Sequence, residues 1–243
     1  MIQNVVGVNG TEIQGCLANV LAQYRNELSE HPVRELCESN ALPKNLAEDF
    51  AKIQYVDSTL WVAMLALAKG KVESPRLKEA IRKNILCEVG NDGVPHVMMC
   101  KSFVQSLGVV AEFGDYQDYA PMTAHSVSVM NVFDYASDGF IAGWLLVAES
   151  LVPDLFSMFR SVYRDYPNAD LQYLDEHISV DADEHSQWML EAAIEISMGS
   201  AHARQDVVSG MGLGARALLS VPDAIYAKAI GQLSTESLRG LAC

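Results

Sequence analysis

Apolar residues recur at three- and four-residue intervals along nearly the whole chain, and alternating apolar and polar runs bounded by turn signals are almost absent. A period of 3.6 residues turns one helical face toward a core, whereas a half-buried strand needs a period of two. The pattern predicts an all-α fold, with helices near 11 to 29, 43 to 69, 75 to 88, 95 to 107, 118 to 136, 139 to 165, 169 to 198 and 201 to 231. Ser74-Pro75 suits an N-cap followed by a first-turn proline, Gly90-Asn91-Asp92-Gly93 breaks the chain, and Pro167-Asn168 opens the long penultimate helix. No repeat, low-complexity tract or linker divides residues 1–243, which are taken as a single domain.

The glycine-rich stretch SGMGLGA at 209 to 215 is preceded by no strand and followed by no Lys-Ser/Thr. Its glycines therefore point to close helix packing rather than to a phosphate cradle.

Composition narrows the partners. Apolar residues make up 50% of the chain and charged residues 20%, which supports a large core. The net charge of −14 repels phosphate backbones and anionic lipid, so nucleic acid and membrane surfaces are not expected partners. The apolar stretches at 60 to 68 and 140 to 148 are shorter than the roughly 20 residues of a bilayer span. The N-terminal MIQNVVGVNGTE lacks the basic and apolar regions of a signal peptide, so a cytoplasmic location is expected. Cys16, Cys37, Cys87, Cys100 and Cys243 are scattered, with no Cys-x-x-Cys pair to suggest zinc or dithiol chemistry.

Candidate chemistry concentrates in three segments. In DEHISVDADEHSQW, His177, Asp181 and His185 stand at i, i+4 and i+8. Each four-residue step on one helix rotates a side chain by only about 40°, so these three are expected to stack along a single face. Two imidazoles and a carboxylate are the donor types that leave open positions on Fe(II) for dioxygen. Glu149 is the lone acid between Phe140 and Pro153 in FIAGWLLVAESLVP, and a carboxylate on so apolar a helix is costly to bury unless paired or bound to metal. In NILCEVGNDGVPHVMMCKSF, Glu88 ends one helix and His96 opens the next across a glycine-rich break. Together the segments supply enough carboxylates and imidazoles for two metals roughly 3.5 to 4 Å apart.

The ordered residues Glu88, His96, Glu149, His177, Asp181 and His185 resemble the pattern of the haem-oxygenase-like diiron oxidases and oxygenases, a superfamily that includes CADD-like proteins and shares its fold with TenA and PqqC. The resemblance extends over residues 75 to 200. It implies a haem-oxygenase-like bundle of about seven helices. It also implies two iron ions held by those residues, with dioxygen as co-substrate and a small-molecule substrate such as an amino acid or fatty acid. N-oxygenation, oxidative C–C cleavage and desaturation are the implied reactions, and a homodimer is the expected assembly. Many members place the last histidine three residues after the aspartate. Here Ala182-Asp183-Glu184 intervenes before His185, which leaves Asp183 or Glu184 as substitutes for that ligand.

Other readings stay open on the sequence. A metal-free TenA-like hydrolase would use a cysteine nucleophile, with Cys100 and Cys16 as candidates, and a CADD-like interaction protein would need no chemistry at all. Haem ligation would call on His31. The absence of any Glu-x-x-His motif disfavours a ferritin-like bundle. Trp61, Met98, Met99, Phe103 and Trp144 are candidate substrate-wall residues, and Tyr173, one turn before His177, is a candidate support for the metal site.

Overall fold

The computed structural model describes residues 9–91, 93–111, 131–180 and 184–240, and among them there is no strand. Their helices are α1 (Gly10–Ser29), α2 (Val33–Glu38), α3 (Lys44–Lys71), α4 (Pro75–Glu88), α5 (His96–Ser106), α6 (Asp138–Arg160), α7 (Gln172–Val180), α8 (Ser186–Gly199) and α9 (Ala201–Gly240). A 3-10 turn over Ser161–Asp165 extends α6. The predicted helix at 118 to 136 falls largely outside the described residues.

Local chemistry sets the helix starts. Asn9 and Glu12 form a capping box at α1, each side chain accepting from the other's backbone N–H. Ser74 accepts from the Leu77 N–H ahead of Pro75, and Ser137 accepts from the Phe140 N–H at the start of α6. Helix α2 follows Pro32 in a stretch that the sequence pattern leaves as a loop; a single hydrophobic turn, with Val33 and Cys37 buried, is too short to register as a period.

Helix α6 is the axis of the bundle and touches α1, α2, α7, α8 and α9. It is long and apolar enough by composition to cross a membrane, but 83% of its most apolar window is buried inside the protein. It continues through Pro153, four residues beyond Glu149. Helix α3 runs antiparallel to α6: Trp61 meets Trp144 with ring centroids 5.7 Å apart, whereas Phe50 stacks on Phe159 at 3.9 Å.

Helix α9 runs parallel to α6, and its glycines let the two backbones nearly touch. A Cβ on Gly210 would stand 2.0 Å from the Phe140 carbonyl oxygen, and one on Gly214 3.0 Å from that of Trp144. The packing role expected for the 209 to 215 stretch is thus observed. Gly15, by contrast, sits on α1, where a Cβ would meet nothing within 4 Å. Gly15→Ala should stabilise the protein by about 0.5 to 1 kcal/mol, read as a raised urea midpoint, because alanine restricts the unfolded chain and suits a helix interior.

Candidate metal centre

The turn between α4 and α5 brings the first two candidate residues together. Gly90 adopts φ +72°, and a Cβ there would lie 2.5 Å from the Pro95 nitrogen, so the reversal requires glycine. His96, the first residue of α5, then returns over Glu88, the last of α4, with His96 Nδ1 3.2 Å from Glu88 Oε2. Both side chains are buried.

His177 approaches from α7, its ring centroid 4.6 Å from that of His96. Its Nδ1 lies 2.8 Å from the Tyr173 carbonyl oxygen. A carbonyl oxygen only accepts, so Nδ1 carries the hydrogen and the Nε2 lone pair is left for another partner, the arrangement in which imidazoles bind metals. One donor atom each from Glu88, His96 and His177 lies within 4.8 Å of the other two. One carboxylate and two imidazoles, all buried at this spacing, fit an iron ion in donor type and number with positions left open.

Glu149 and His185 form a second group. Glu149 is 3% exposed and His185 is fully buried, with His185 Nδ1 3.4 Å from Glu149 Oε2. The other Glu149 oxygen accepts from the Asn84 side-chain amide, one turn before Glu88 on α4. Burying a carboxylate on so apolar a helix is therefore matched by an amide donor and an imidazole. Asn84 is not among the sequence candidates; its one signal is an amide four residues before Glu88, on the same inward face as Ile81.

The helix expected over 169 to 198 is described on both sides of residues 181–183, as α7 and as α8. Helix α7 is described as far as Val180, and Glu184 and His185 lie in a π-type turn leading into α8. Asp181 and Asp183 lie outside the described residues. A π turn takes up one residue more than an α turn, and His185 at this turn is fully buried. Glu184 is exposed, so it does not take His185's place.

A cavity of about 140 Å³ joins the two groups, and Glu88, Glu149 and His177 all line it. Trp61, Trp144 and Tyr173 line it as well. Of the other expected wall residues, Met98 is 49% exposed and Phe103 is packed in the core. Since His96 and Cys100 face inward, Met98, two residues from each, points to the opposite side of α5.

The remaining candidates lie elsewhere. His31 is held at the surface between Asp223 and the Val33 N–H, at 3.1 and 3.2 Å, and His202 lies beside Asp206. His125 is outside the described residues. Cys16 is exposed on α1, and Cys100 is buried with its thiol pushed well above the usual range by desolvation, a shift that its hydrogen bond with Tyr173 only partly opposes. A thiol held protonated is a poor nucleophile.

A family model described as an iron-containing redox enzyme matches residues 48–218, the greater part of the 243-residue chain and the whole of both side-chain groups. No curated protein matches the chain.

Proposed function

The chain belongs to the family of iron-containing redox enzymes with a haem-oxygenase-like fold, and on that premise we propose that it is a non-haem diiron oxygenase or oxidase that activates dioxygen on a small molecule. The observation that carries this reading is the pair of buried groups, Glu88–His96–His177 and Glu149–His185, meeting at one cavity. Asp181 would complete the ligand set between His177 and His185.

Two ferrous ions held there would supply the electrons that reduce dioxygen and the open positions that receive it. The chain's own residues do the rest. The Tyr173 carbonyl fixes the His177 tautomer and ring orientation, and the Asn84 amide orients Glu149 by donating to one of its oxygens. Trp61, Trp144, Val152 and Phe156 provide apolar walls that exclude water and hold the substrate against the carboxylates. Amino-acid-like and fatty-acid-like molecules, undergoing N-oxygenation, C–C cleavage or desaturation, are the candidate substrates.

Anaerobic reconstitution with Fe(II) should load about two iron ions per chain, and the loaded protein should consume oxygen. Failure to bind iron would leave a hydrolase or an interaction protein instead. Asn84→Leu should keep the fold but weaken iron binding by about 10- to 100-fold in competition with a chelator, because Glu149 loses the donor that orients it. An unchanged iron affinity would remove Asn84 from this account.

A further inference from the structure

A hydroxyl on the cavity wall is buried without a partner. Gln54 and Ser58 stand one turn apart on α3, 6% and 7% exposed, and both line the cavity. A helical serine ordinarily has a carbonyl one turn back to donate to. The neighbouring Thr59 donates to the Tyr55 carbonyl oxygen at 2.7 Å, and Ser209 to that of Gln205 at 2.9 Å. Ser58 Oγ makes no such bond, and of the buried serine hydroxyls without a partner among the described residues it is the one on the cavity wall. A buried hydroxyl left unpaired destabilises the empty protein, so a group that enters the cavity and pairs with it gains on arrival.

The hydroxyl sits beside the metal-binding groups. Across the antiparallel α3 and α6, Trp61 meets Trp144 and Phe50 stacks on Phe159, which brings Ser58 about level with Glu149 and Gln54 about level with Val152. The rest of the wall is largely aromatic: Trp61 with Trp144, and Phe156 with Tyr173, their ring centroids 5.6 Å apart. Such faces and edges favour another ring. An apolar cavity of about 150 Å³ holds one benzene molecule. At about 140 Å³, this one suits a single ring with a short polar substituent. The Ser58 hydroxyl and the Gln54 carboxamide each offer both a donor and an acceptor. A carboxylate only accepts and an ammonium group only donates, so either would use half of what the pair offers.

We infer that the cavity takes a molecule with one aromatic ring and an uncharged hydroxyl or carboxamide group, which Ser58 and Gln54 bind through hydrogen bonds. The polar group would stand level with Glu149, and the ring would lie among Trp61, Trp144, Phe156 and Tyr173. This rests on the metal-centred reading of the same cavity and narrows it. It favours one-ring alcohols and amides over long-chain fatty acids, and it makes Ser58 and Gln54 specificity-determining residues.

The test measures the binding of benzyl alcohol, benzamide and toluene to the anaerobic Fe(II)-loaded full chain by calorimetry. Ser58→Ala should weaken benzyl alcohol and benzamide about three- to tenfold, the scale of one neutral hydrogen bond, and leave toluene within about twofold of its native affinity. Gln54→Leu should show the same selectivity. Ser58→Ala should also melt at or above the native temperature, because it removes a buried hydroxyl that has no partner in the empty protein. A lower melting temperature would mark that hydroxyl as structural and overturn the assignment. So would equal weakening of toluene, no weakening of either polar ligand in both variants, or tighter binding of benzoate, benzylamine or 2-naphthalenemethanol than of benzyl alcohol. The same titrations on metal-free protein separate the two readings. Absence of iron uptake with the Ser58 selectivity intact would reject the oxidase and keep the binding site, whereas iron-dependent oxygen uptake without that selectivity would do the reverse.

Discussion

Replacing His177 by alanine is expected to lower the iron content of reconstituted protein from about two ions per chain to about one or fewer, and to cut oxygen uptake roughly 100-fold or more. His177 has the largest expected effect because its Nδ1 is already committed to the Tyr173 carbonyl, so the other ring nitrogen is oriented toward Glu88 and His96 before any metal arrives. Removing the ring leaves one carboxylate and one imidazole in that group, too few donors to retain iron against a chelator. The substitution also leaves a void beside Phe156 and Tyr173, whose rings lie 5.4 and 4.4 Å from that of His177, and this should cost about 1 to 3 kcal/mol of stability. His177→Gln separates the two effects: it keeps much of the volume while replacing the imidazole. Both variants should lose iron, and only the alanine variant should show a large fall in the melting temperature of the metal-free protein. Full iron loading and unchanged oxygen uptake in His177→Ala would eliminate the proposed centre.

Much of the architecture is legible from hydrophobic period alone, because amphipathic helices such as α1 and α4 repeat their apolar positions turn after turn. The punctuation at Ser74-Pro75 and at Gly90 is equally clear, since capping and positive φ act locally. What the sequence does not show is direction. The glycine-rich break before His96 is compatible with many angles, and only the backbone approach of Gly90 to Pro95 folds His96 over Glu88. The pairing of Glu149 with His185 and Asn84 joins three helices separated by long stretches of chain, so no spacing rule encodes it. The π turn at Glu184 and His185 escapes the sequence for a related reason. It answers a tertiary demand to keep His185 inward and has no compositional signature of its own.

Gly143→Ala should be among the most destabilising single-methyl changes in the described residues, lowering stability by about 3 kcal/mol or more and the melting temperature by roughly 6 to 12 °C. A Cβ at Gly143 would stand 1.9 Å from the Val207 carbonyl oxygen, 2.8 Å from its carbon and 3.0 Å from the Met211 nitrogen. All three are backbone atoms of α9, so no side chain can swing aside and the helices must separate. Separation would also displace the residues that α6 carries next: Trp144 immediately, and Glu149 less than two turns on. Iron affinity should therefore fall together with stability in this variant, although Gly143 touches neither metal-binding group. Gly15→Ala is the matched control, the same methyl added to an uncrowded helical glycine, with the opposite sign expected. A Gly143→Ala protein melting within about 2 °C of the native one would show that α6 and α9 tolerate separation, and that their close approach does not hold Glu149 in place.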